Sequence, residues 1–299
     1  MTIKLIATDM DGTLLKSDNT ISPKTKHILI EAQKQGIRLV LASGRSYRKL
    51  MQYANELEMP KYGGFLIEVN GTAVYDLKHA KRTRYHELKK ADAIKIFQAL
   101  KPFEVEIMGL GDDSLYDYIP QSLMPIKQEY RRKHQLSDDY PWTAGAFEIV
   151  FDNRIGYPHQ YMIQSGEEFP DHLNKIAAIH ESVVLLSKLS DIKKVLQDDY
   201  WLGLTSPTYL EIMEKGVTKG NALTKLCERL NIDMADVIAF GDGENDIDML
   251  KKVGTAVVME NALPAVKTYA DIVCSSNQND GLAETLQKYL PFTSKSDVF

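Results

Sequence analysis

Four aspartates of this 299-residue sequence stand where their carboxylates can act together. Asp9 and Asp11 directly follow one short apolar run, and Asp242 and Asp246 follow another. Asp9 and Asp11 are two positions apart, so in an extended backbone their side chains point to the same side. Four carboxylates near one point repel one another unless a cation binds or protons are taken up. Every donor is an oxygen atom, which favours Mg²⁺ over Zn²⁺.

Three further residues supply the donors that a phosphate group needs. Ser43 offers a hydroxyl and Gly44 an unobstructed backbone N–H before a predicted helix, where anions bind favourably. Lys219, at the start of another predicted helix, supplies a permanent positive charge. A carboxylate beside Mg²⁺ can attack phosphorus when such donors neutralise the phosphoryl oxygens. Asp11 can then act as general acid toward the leaving oxygen and as base for the water that releases phosphate.

The elements that carry these residues predict an α/β fold with a doubly wound, mostly parallel sheet. The predicted strands of this core cover residues 4–8, 37–42, 64–69, 237–240, 255–259 and 271–274. The predicted helices cover residues 23–35, 46–58, 219–230, 246–253, 263–270 and 281–289. Ser22 is the expected N-cap of the first helix and Gly36 its stop. Ligands bind outside the carboxyl ends of such strands, so the motif residues converge if their strands are neighbours.

The middle of the chain, residues 82–206, differs in composition and predicts an inserted α+β domain. It holds six of the eleven prolines and more than half of the tyrosines. The strands predicted within it include residues 104–108, 148–151 and 182–186. Residues 1–81 and 207–299 then form the core.

The motifs resemble those of the haloacid dehalogenase superfamily of phosphotransferases. The resemblance is carried, in chain order, by Asp9-Met10-Asp11-Gly12-Thr13-Leu14, Ala42-Ser43-Gly44-Arg45, Lys219-Gly220 and Gly241-Asp242-Gly243-Glu244-Asn245-Asp246. Two more segments, Asp248-Met249-Leu250 and Asn70-Gly71-Thr72, are similar to those of the Cof-type sugar phosphatases. The resemblance covers both terminal thirds of the chain, and the middle resembles the family only by its place of insertion.

The resemblance implies a catalytic role for each acid. Asp9 is the nucleophile that becomes an aspartyl phosphate, and Asp11 is the acid and base. Mg²⁺ is then bound by Asp9, by the backbone carbonyl of Asp11 and by Asp242, while Asp246 orients the groups around the metal. Relatives that keep a long-lived phosphoenzyme have threonine at position 11, so an acid there implies rapid hydrolysis.

The resemblance also implies what holds the substrate. The phosphoryl group is held by Ser43, Gly44, Lys219 and the backbone of Met10, with Asn245 nearby. The inserted residues 82–206 are implied to be a cap that closes over the site and selects the substrate.

Each of these signals alone has a simpler structural explanation. A pair of aspartates at a strand end occurs as a turn, Ser43 as a helix cap and Lys219 as a solvated surface lysine. The functional interpretation is favoured because independent polar clusters occur together, in order, at the ends of elements. Arg45 has two interpretations, a substrate contact or a structural ion pair, and Asn70-Gly71 predicts a tight turn.

Charge and composition disfavour other classes of protein. Thirty-six Lys and Arg against 41 Asp and Glu give a net charge of −5, so no basic field favours nucleic acid or an anionic membrane. No apolar run approaches the ~18 residues of a membrane span, and no signal peptide is apparent. The two cysteines have no paired spacing, which fits a reducing compartment. We therefore expect a cytoplasmic protein.

The favoured function is Mg²⁺-dependent hydrolysis of small phosphorylated metabolites, sugar phosphates foremost, by a phosphoric monoester hydrolase. Two alternatives stay open: a phosphosugar mutase of the same superfamily, and a non-enzymatic phospho-acceptor or metabolite sensor. The sequence names neither the substrate nor the oligomeric state.

Overall fold

The computed structural model describes residues 2–290. The strands are β1 (Leu5–Thr8), β2 (Arg38–Ala42), β3 (Phe65–Glu68), β4 (Ala73–Asp76), β5 (Lys81–Arg84), β6 (Leu88–Lys89), β7 (Glu106–Leu110), β8 (Ser114–Tyr118), β9 (His159–Met162), β10 (His172–Leu173), β11 (Lys175–Ile179), β12 (Tyr200–Ser206), β13 (Tyr209–Glu214), β14 (Val237–Gly241), β15 (Thr255–Met259) and β16 (Ile272–Cys274). The α-helices are α1 (Pro23–Lys34), α2 (Tyr47–Glu56), α3 (Met59–Tyr62), α4 (Lys90–Leu100), α5 (Met124–Lys133), α6 (Ser182–Leu196), α7 (Lys219–Leu230), α8 (Ile247–Leu250), α9 (Pro264–Lys267) and α10 (Gly281–Tyr289).

The largest sheet has eight strands in the order β16-β15-β14-β1-β2-β3-β4-β5. The six strands from β16 to β3 pair in parallel, and β4 and β5 are antiparallel additions at one edge. Chain order reverses at β1, which lies between β2 and β14. The predicted doubly wound, mostly parallel sheet is confirmed.

Helices cover both faces of this sheet, which is why its central strands are apolar throughout. On one face, Leu29 of α1 and Leu286 of α10 pack in a cluster with Ile6 of β1. On the other face, Leu223 of α7 packs in a cluster with Ala7. Successive residues of β1 therefore enter opposite cores, and the whole strand is buried.

The first helix begins and ends where the sequence predicts. The Ser22 side chain accepts a hydrogen bond from the Thr25 N–H at 3.1 Å, and Pro23 occupies the first helical position. Gly36 follows the end of α1 with φ +88°, a conformation that favours glycine. The chain is thereby turned directly into β2.

The chain divides into two compact units. Within the described residues, unit 1 comprises residues 2–85 and 218–290, and unit 2 comprises His86–Val217. The sequence places these boundaries at 81/82 and 206/207, and its last core residues, 291–299, lie outside the described residues. The difference concerns two strands: β5 pairs with β4 in the sheet of unit 1, and β13 pairs with β11 and β12 in the sheet of unit 2.

Unit 2 has a six-stranded sheet in the order β12-β13-β11-β7-β8-β9, antiparallel except for the β8–β9 pair. Residues of α4 and α6 pack with one face of this sheet in a common apolar cluster. The unit is therefore of the predicted α+β type. None of the helices within residues 2–290 combines the length and the hydropathy that crossing a membrane requires.

The strand predicted at residues 182–186 is wrong, because these residues begin α6. Two adjacent valines favour a strand locally. Leu185, Ile192 and Leu196 recur at helical spacing and are buried on one side of α6. Packing of that apolar stripe outweighs the local preference.

The strand predicted at residues 148–151 is also wrong, since the segment belongs to an irregular loop. The ammonium of Lys127, which is fully buried, donates to the carbonyls of Trp142 at 2.6 Å and Ile149 at 2.7 Å. The same ammonium lies 2.7 Å from the Glu106 carboxylate. A lysine distant in sequence therefore binds a carbonyl that a strand would have paired with a neighbouring strand.

Candidate active site

The strand order of unit 1 brings the predicted motifs to one edge of the sheet. Asp9 follows β1, Ser43 follows β2, and Asp242 follows β14. Both β2 and β14 are direct neighbours of β1, and all three run in parallel. Their carboxyl ends therefore share the edge at which chain order reverses, where ligands of open α/β sheets bind.

Three of the four aspartates converge at this edge. Asp9, Asp242 and Asp246 each offer a carboxylate oxygen, and these oxygens lie within 4.8 Å of one another. Asp9 is held there by its own backbone, since its N–H donates to the Phe240 carbonyl at 3.0 Å. Asp9 and Asp246 are buried, which brings their charges together with little screening by water.

Lys219 places a single positive charge among these acids. Its side chain is fully buried, and Nζ donates to Asp9 Oδ1 at 2.5 Å and to Asp246 Oδ1 at 2.7 Å. Lys219 is the first residue of α7, and the Thr218 side chain caps that helix by accepting from the Asn221 N–H at 3.0 Å. The alternative of a solvated surface lysine is therefore wrong.

Asp246 fixes the loop that carries Asp242. Its Oδ2 accepts hydrogen bonds from the N–H groups of Asp242 at 3.0 Å and Gly243 at 2.9 Å. A Cβ on Gly241 would lie 2.6 Å from the Cβ of Asp246, so the approach requires a glycine at the end of β14. One carboxylate thus binds both Lys219 and the backbone of the loop.

Gly12 and Thr13, which belong to the first motif, hold the carboxylate of Asp242 in place. Gly12 has φ +83°, and a Cβ there would lie 2.3 Å from Asp242 Oδ2. Thr13 Oγ1 donates to Asp242 Oδ1 at 2.7 Å. The Asp9-to-Leu14 motif therefore supplies a close-packed surface for Asp242 as well as an acid.

The electrostatics of the cluster favour a bound cation. Burial, reinforced by the charges of Asp246 and Asp242, raises the pKa of Asp9 well above its usual value, although Lys219 acts against this. Burial raises the pKa of Asp242 to about 6. For Lys219, burial opposes the charge, but Asp246 and Asp9 outweigh it and raise the pKa. Three acids against one ammonium leave excess negative charge that a cation can neutralise.

Asp11 lies apart from the three clustered carboxylates. Its side chain is 58% exposed and forms a two-point ion pair with Arg45, whose Nε donates to Asp11 Oδ2 at 3.0 Å. Arg45 also contacts Asn19 Oδ1 at 3.2 Å and lies over the Tyr53 ring. Of the two interpretations of Arg45, the structure shows the ion pair, and its partner is the predicted acid and base.

The predicted phosphate-binding residues lie around the same edge. The Ser43 hydroxyl is buried and accepts from the Arg45 N–H at 3.1 Å, so it begins the turn into α2. The Met10 side chain lies in the apolar core, so its backbone is the part left for a ligand. Asn245 Nδ2 donates to Asn70 Oδ1 at 3.0 Å, and a Cβ on Gly44 would lie 3.3 Å from that oxygen.

Two residues near the site are not assigned to it by the sequence analysis. Thr13 lies inside the first motif, so its hydroxyl could have been considered, but the prediction drew on the acidic side chains of that motif alone. Asn70 is predicted only as part of a turn, and residues 69–72 do connect β3 to β4. The residue nevertheless has only 6% exposure and its side chain faces Asn245, which one sequence does not reveal.

The donor set fits a hard divalent cation. All three converging side chains are carboxylates, and this group contains no histidine or cysteine. The carboxylates of Asp9 and Asp242 are therefore suitable ligands, and the residues present fit Mg²⁺. The two cysteines of the described chain, Cys227 and Cys274, are free and buried in the apolar clusters of unit 1.

Comparison with known proteins gives the family. The sequence model of one protein family, the haloacid dehalogenase-like hydrolases, matches residues 6–286 of this chain. A 5-amino-6-(5-phospho-D-ribitylamino)uracil phosphatase of Escherichia coli (strain K12) is 29% identical over 305 residues, covering 99% of this chain and 100% of its own. A pyridoxal phosphate phosphatase of the same organism is 28% identical over 294 residues, covering 97% of this chain and all of its own.

A solved structure agrees with these relatives. A haloacid dehalogenase-like hydrolase from Bacteroides thetaiotaomicron matches with a TM-score of 0.77 and 27% identity, over 97% of this chain and 100% of its own. The fold, the family and the enzyme class predicted from the motifs are confirmed. The chain belongs to the haloacid dehalogenase-like hydrolases, and within that family it is a phosphoric monoester hydrolase.

Proposed function

We propose that the protein is a Mg²⁺-dependent phosphatase that hydrolyses small phosphorylated metabolites, sugar phosphates foremost, through an aspartyl phosphate on Asp9. One observation carries the proposal: the buried ammonium of Lys219 bridges Asp9 and Asp246 where Asp242 also converges. Two relatives act, by their names, on phosphate esters of small molecules. Their substrates differ, so the substrate class is proposed here and the individual compound is not.

The residues that would hold Mg²⁺ are Asp9, Asp242 and the backbone carbonyl of Asp11. When bound, the ion would neutralise charge between the nucleophile and the phosphate and so let the two anions approach. Asp246 keeps the Asp242 loop in place through its two backbone hydrogen bonds. The bond changes at phosphorus and the proton transfers are then carried out by side chains of this protein.

Asp9 supplies the nucleophile in the first half of the reaction. One of its carboxylate oxygens forms a bond to phosphorus while the bond from phosphorus to the ester oxygen breaks. Lys219 donates to Asp9, the nucleophile, so its charge would offset negative charge on the phosphoryl group without a change in its own protonation. Ser43, Gly44, the Met10 backbone and Asn245 hold the phosphoryl oxygens in line with Asp9.

Asp11 moves the proton in both halves of the reaction. In the first half, its carboxyl gives a proton to the leaving oxygen as that bond breaks. In the second half, its carboxylate takes a proton from the water that attacks phosphorus, and the bond to Asp9 breaks to release phosphate. The side chain reaches solvent and is held by Arg45, so it can both exchange protons and keep its direction.

We assign substrate selection to unit 2, the cap implied by the sequence. The groups that bind the phosphoryl moiety all lie in unit 1 and recognise a feature common to every phosphate ester. Discrimination among metabolites therefore requires other residues. The cytoplasmic location stays a prediction from the sequence.

The test is release of inorganic phosphate from a panel of phosphorylated sugars and other metabolites, with Mg²⁺, with EDTA, and with Mg²⁺ or Zn²⁺ restored after EDTA. Turnover in ¹⁸O-labelled water shows which bond breaks, since attack at phosphorus places the label in phosphate. The variant Asp9→Asn removes the nucleophile, and Asp191→Asn serves as control because that exposed acid of α6 has, among the described residues, a salt bridge to Lys194 alone.

We expect Mg²⁺-dependent phosphate release that Asp9→Asn abolishes and Asp191→Asn leaves unchanged. Asp9→Asn activity within tenfold of the parent would remove Asp9 from the nucleophilic role. Recovery with Zn²⁺ alone would contradict the assignment of Mg²⁺. Transfer of phosphate between sugar positions with little free phosphate would favour the mutase alternative.

A further inference from the structure

The three residues that join β3 to β4 have an unusual backbone. Val69, Asn70 and Gly71 all have positive φ, at 46°, 54° and 106°. Glycine adopts this region freely and asparagine tolerates it, but a β-branched valine there is a genuine outlier. Such strain persists only where surrounding structure imposes it, and it concentrates at functional sites.

Contacts with two motif segments impose this conformation. The Val69 N–H donates to the Arg45 carbonyl at 3.1 Å, and the Asn70 N–H donates to the Ser43 carbonyl at 2.9 Å. On the other side, a Cβ on Gly71 would lie 2.3 Å from the Thr218 carbonyl, which belongs to the N-cap of α7. The connection therefore lies between the Ser43 loop and the helix that presents Lys219.

The Asn70 side chain extends this connection to a third motif. It is buried, and its Oδ1 accepts the hydrogen bond from Asn245 Nδ2 at 3.0 Å. The same oxygen lies against Gly44, where a Cβ would come within 3.3 Å. The residue therefore contacts two of the segments that carry predicted phosphoryl donors, although it belongs to neither.

We propose that Asn70 is a positioning residue of the phosphatase reaction, which fixes the Asn245 carboxamide relative to the phosphoryl group. A terminal amide on an exposed loop samples several rotamers, and an acceptor anchored at both ends selects one of them. The strained backbone of residues 69–71 sets the position of that acceptor. The inference rests on the proposed function, because it assigns Asn245 a contact with phosphate.

The variant Asn70→Gly tests the side chain alone, since glycine adopts φ near +54° without strain. Asn231→Gly is the matched control: Asn231 caps the end of α7 with φ 53°, is exposed, and undergoes the same chemical change. We expect Asn70→Gly to lower kcat/KM about five- to tenfold, the size of one neutral hydrogen bond. The inhibition constant of inorganic phosphate should rise by a similar factor, and Asn231→Gly should change neither.

A double-mutant cycle with Asn245→Ala separates positioning from a general structural effect. If Asn70 acts through Asn245, Asn70→Gly should cost about twofold or less once Asn245 is alanine. A full five- to tenfold loss in both backgrounds would overturn the inference, as would Asn70→Gly kinetics equal to those of Asn231→Gly.

The outcome also separates this inference from the function on which it rests. A wild-type protein that releases no phosphate from any ester in the presence of Mg²⁺ refutes the proposed function. An active wild type whose phosphate inhibition constant is unchanged by Asn70→Gly refutes only the role of Asn70.

Discussion

Replacing Lys219 by methionine should strongly destabilise unit 1 and abolish turnover. Methionine has a similar length but no charge, so the change removes the ammonium that Asp9 and Asp246 share. Both carboxylates are buried, and each lies within 2.7 Å of Nζ. Without Lys219, the two acids remain together with no cation from the protein.

The magnitude follows from the two distances. At an effective dielectric constant of about 20, a unit charge pair separated by 2.5 to 2.7 Å attracts by ~6 kcal/mol. Much of this attraction is offset by the cost of dehydrating the ions, and removal of one partner from a buried pair costs about 3–5 kcal/mol in net terms. For a unit of this size, we expect Tm to fall by roughly 6–20 °C.

Urea and thermal unfolding in EDTA measure the effect without any contribution from a bound metal. Lys252→Met is the matched control, because Lys252 lies 2.8 Å from Asp248 but both side chains are about one third exposed. That change should cost about 1 kcal/mol or less. The double variant Lys219→Met with Asp9→Asn should regain part of the lost stability, since one uncompensated charge is removed.

A free energy of unfolding of Lys219→Met within about 1 kcal/mol of the wild-type value in EDTA would contradict this prediction. Further destabilisation of the Lys219→Met protein by Asp9→Asn would contradict it as well. Either result would mean that the ammonium does not compensate buried carboxylates. Saturating Mg²⁺ should partly rescue the stability of Lys219→Met but not its turnover, because the ion would bind Asp9, one of the two acids that lose the ammonium.

Two more predictions concern groups outside the central cluster. Arg45→Ala should lower kcat/KM about tenfold for alkyl phosphates and much less for p-nitrophenyl phosphate, whose leaving group needs no proton from Asp11; an equal loss for both esters would contradict the role of the ion pair. In unit 2, burial and the neighbouring charge of Glu106 raise the pKa of Asp117 well above its usual value, while Lys127 acts against this. A raised pKa favours the protonated acid in the fold, so this group's contribution to stability is complete at low pH and is lost as pH rises through the folded-state pKa. Asp117→Asn, which mimics the protonated acid, should therefore stabilise unit 2 more at about pH 8 than at about pH 5 in urea unfolding; equal effects at both would contradict the assignment.

Local patterns in the sequence were sufficient for the elements with strong signals. The Ser22 cap, the apolar strand before Asp9 and the strand before Asp242 are encoded by neighbouring residues. The structure bears these elements out within a residue or two. The predicted bounds of short helices were less accurate: α8 covers only Ile247–Leu250 within the predicted 246–253, and a 3₁₀ turn at Glu244–Asp246 takes the first predicted residue.

Errors arose where distant contacts outweigh local preference. The valines at the start of α6 favour a strand by themselves, but burial of Leu185, Ile192 and Leu196 decides for a helix. The segment at 148–151 has the composition of a strand, yet Lys127 binds its carbonyl at Ile149. Neither contact is visible in the residues of the segment itself.

The sequence by itself identified the residues that we propose carry the chemistry of this protein, because acids, a lysine and glycines at the ends of elements form a pattern that can be read without three-dimensional contacts. Only the tertiary structure decided which of these residues contact one another. It places Asp246 with Asp9 on Lys219, pairs Asp11 with Arg45, and brings Asn70 to Asn245. The physical reason is that a charge or a hydrogen bond acts over a few ångströms. The partners here lie up to 210 positions apart in the chain, as Asp9 and Lys219 do, and only the order of the strands makes them neighbours.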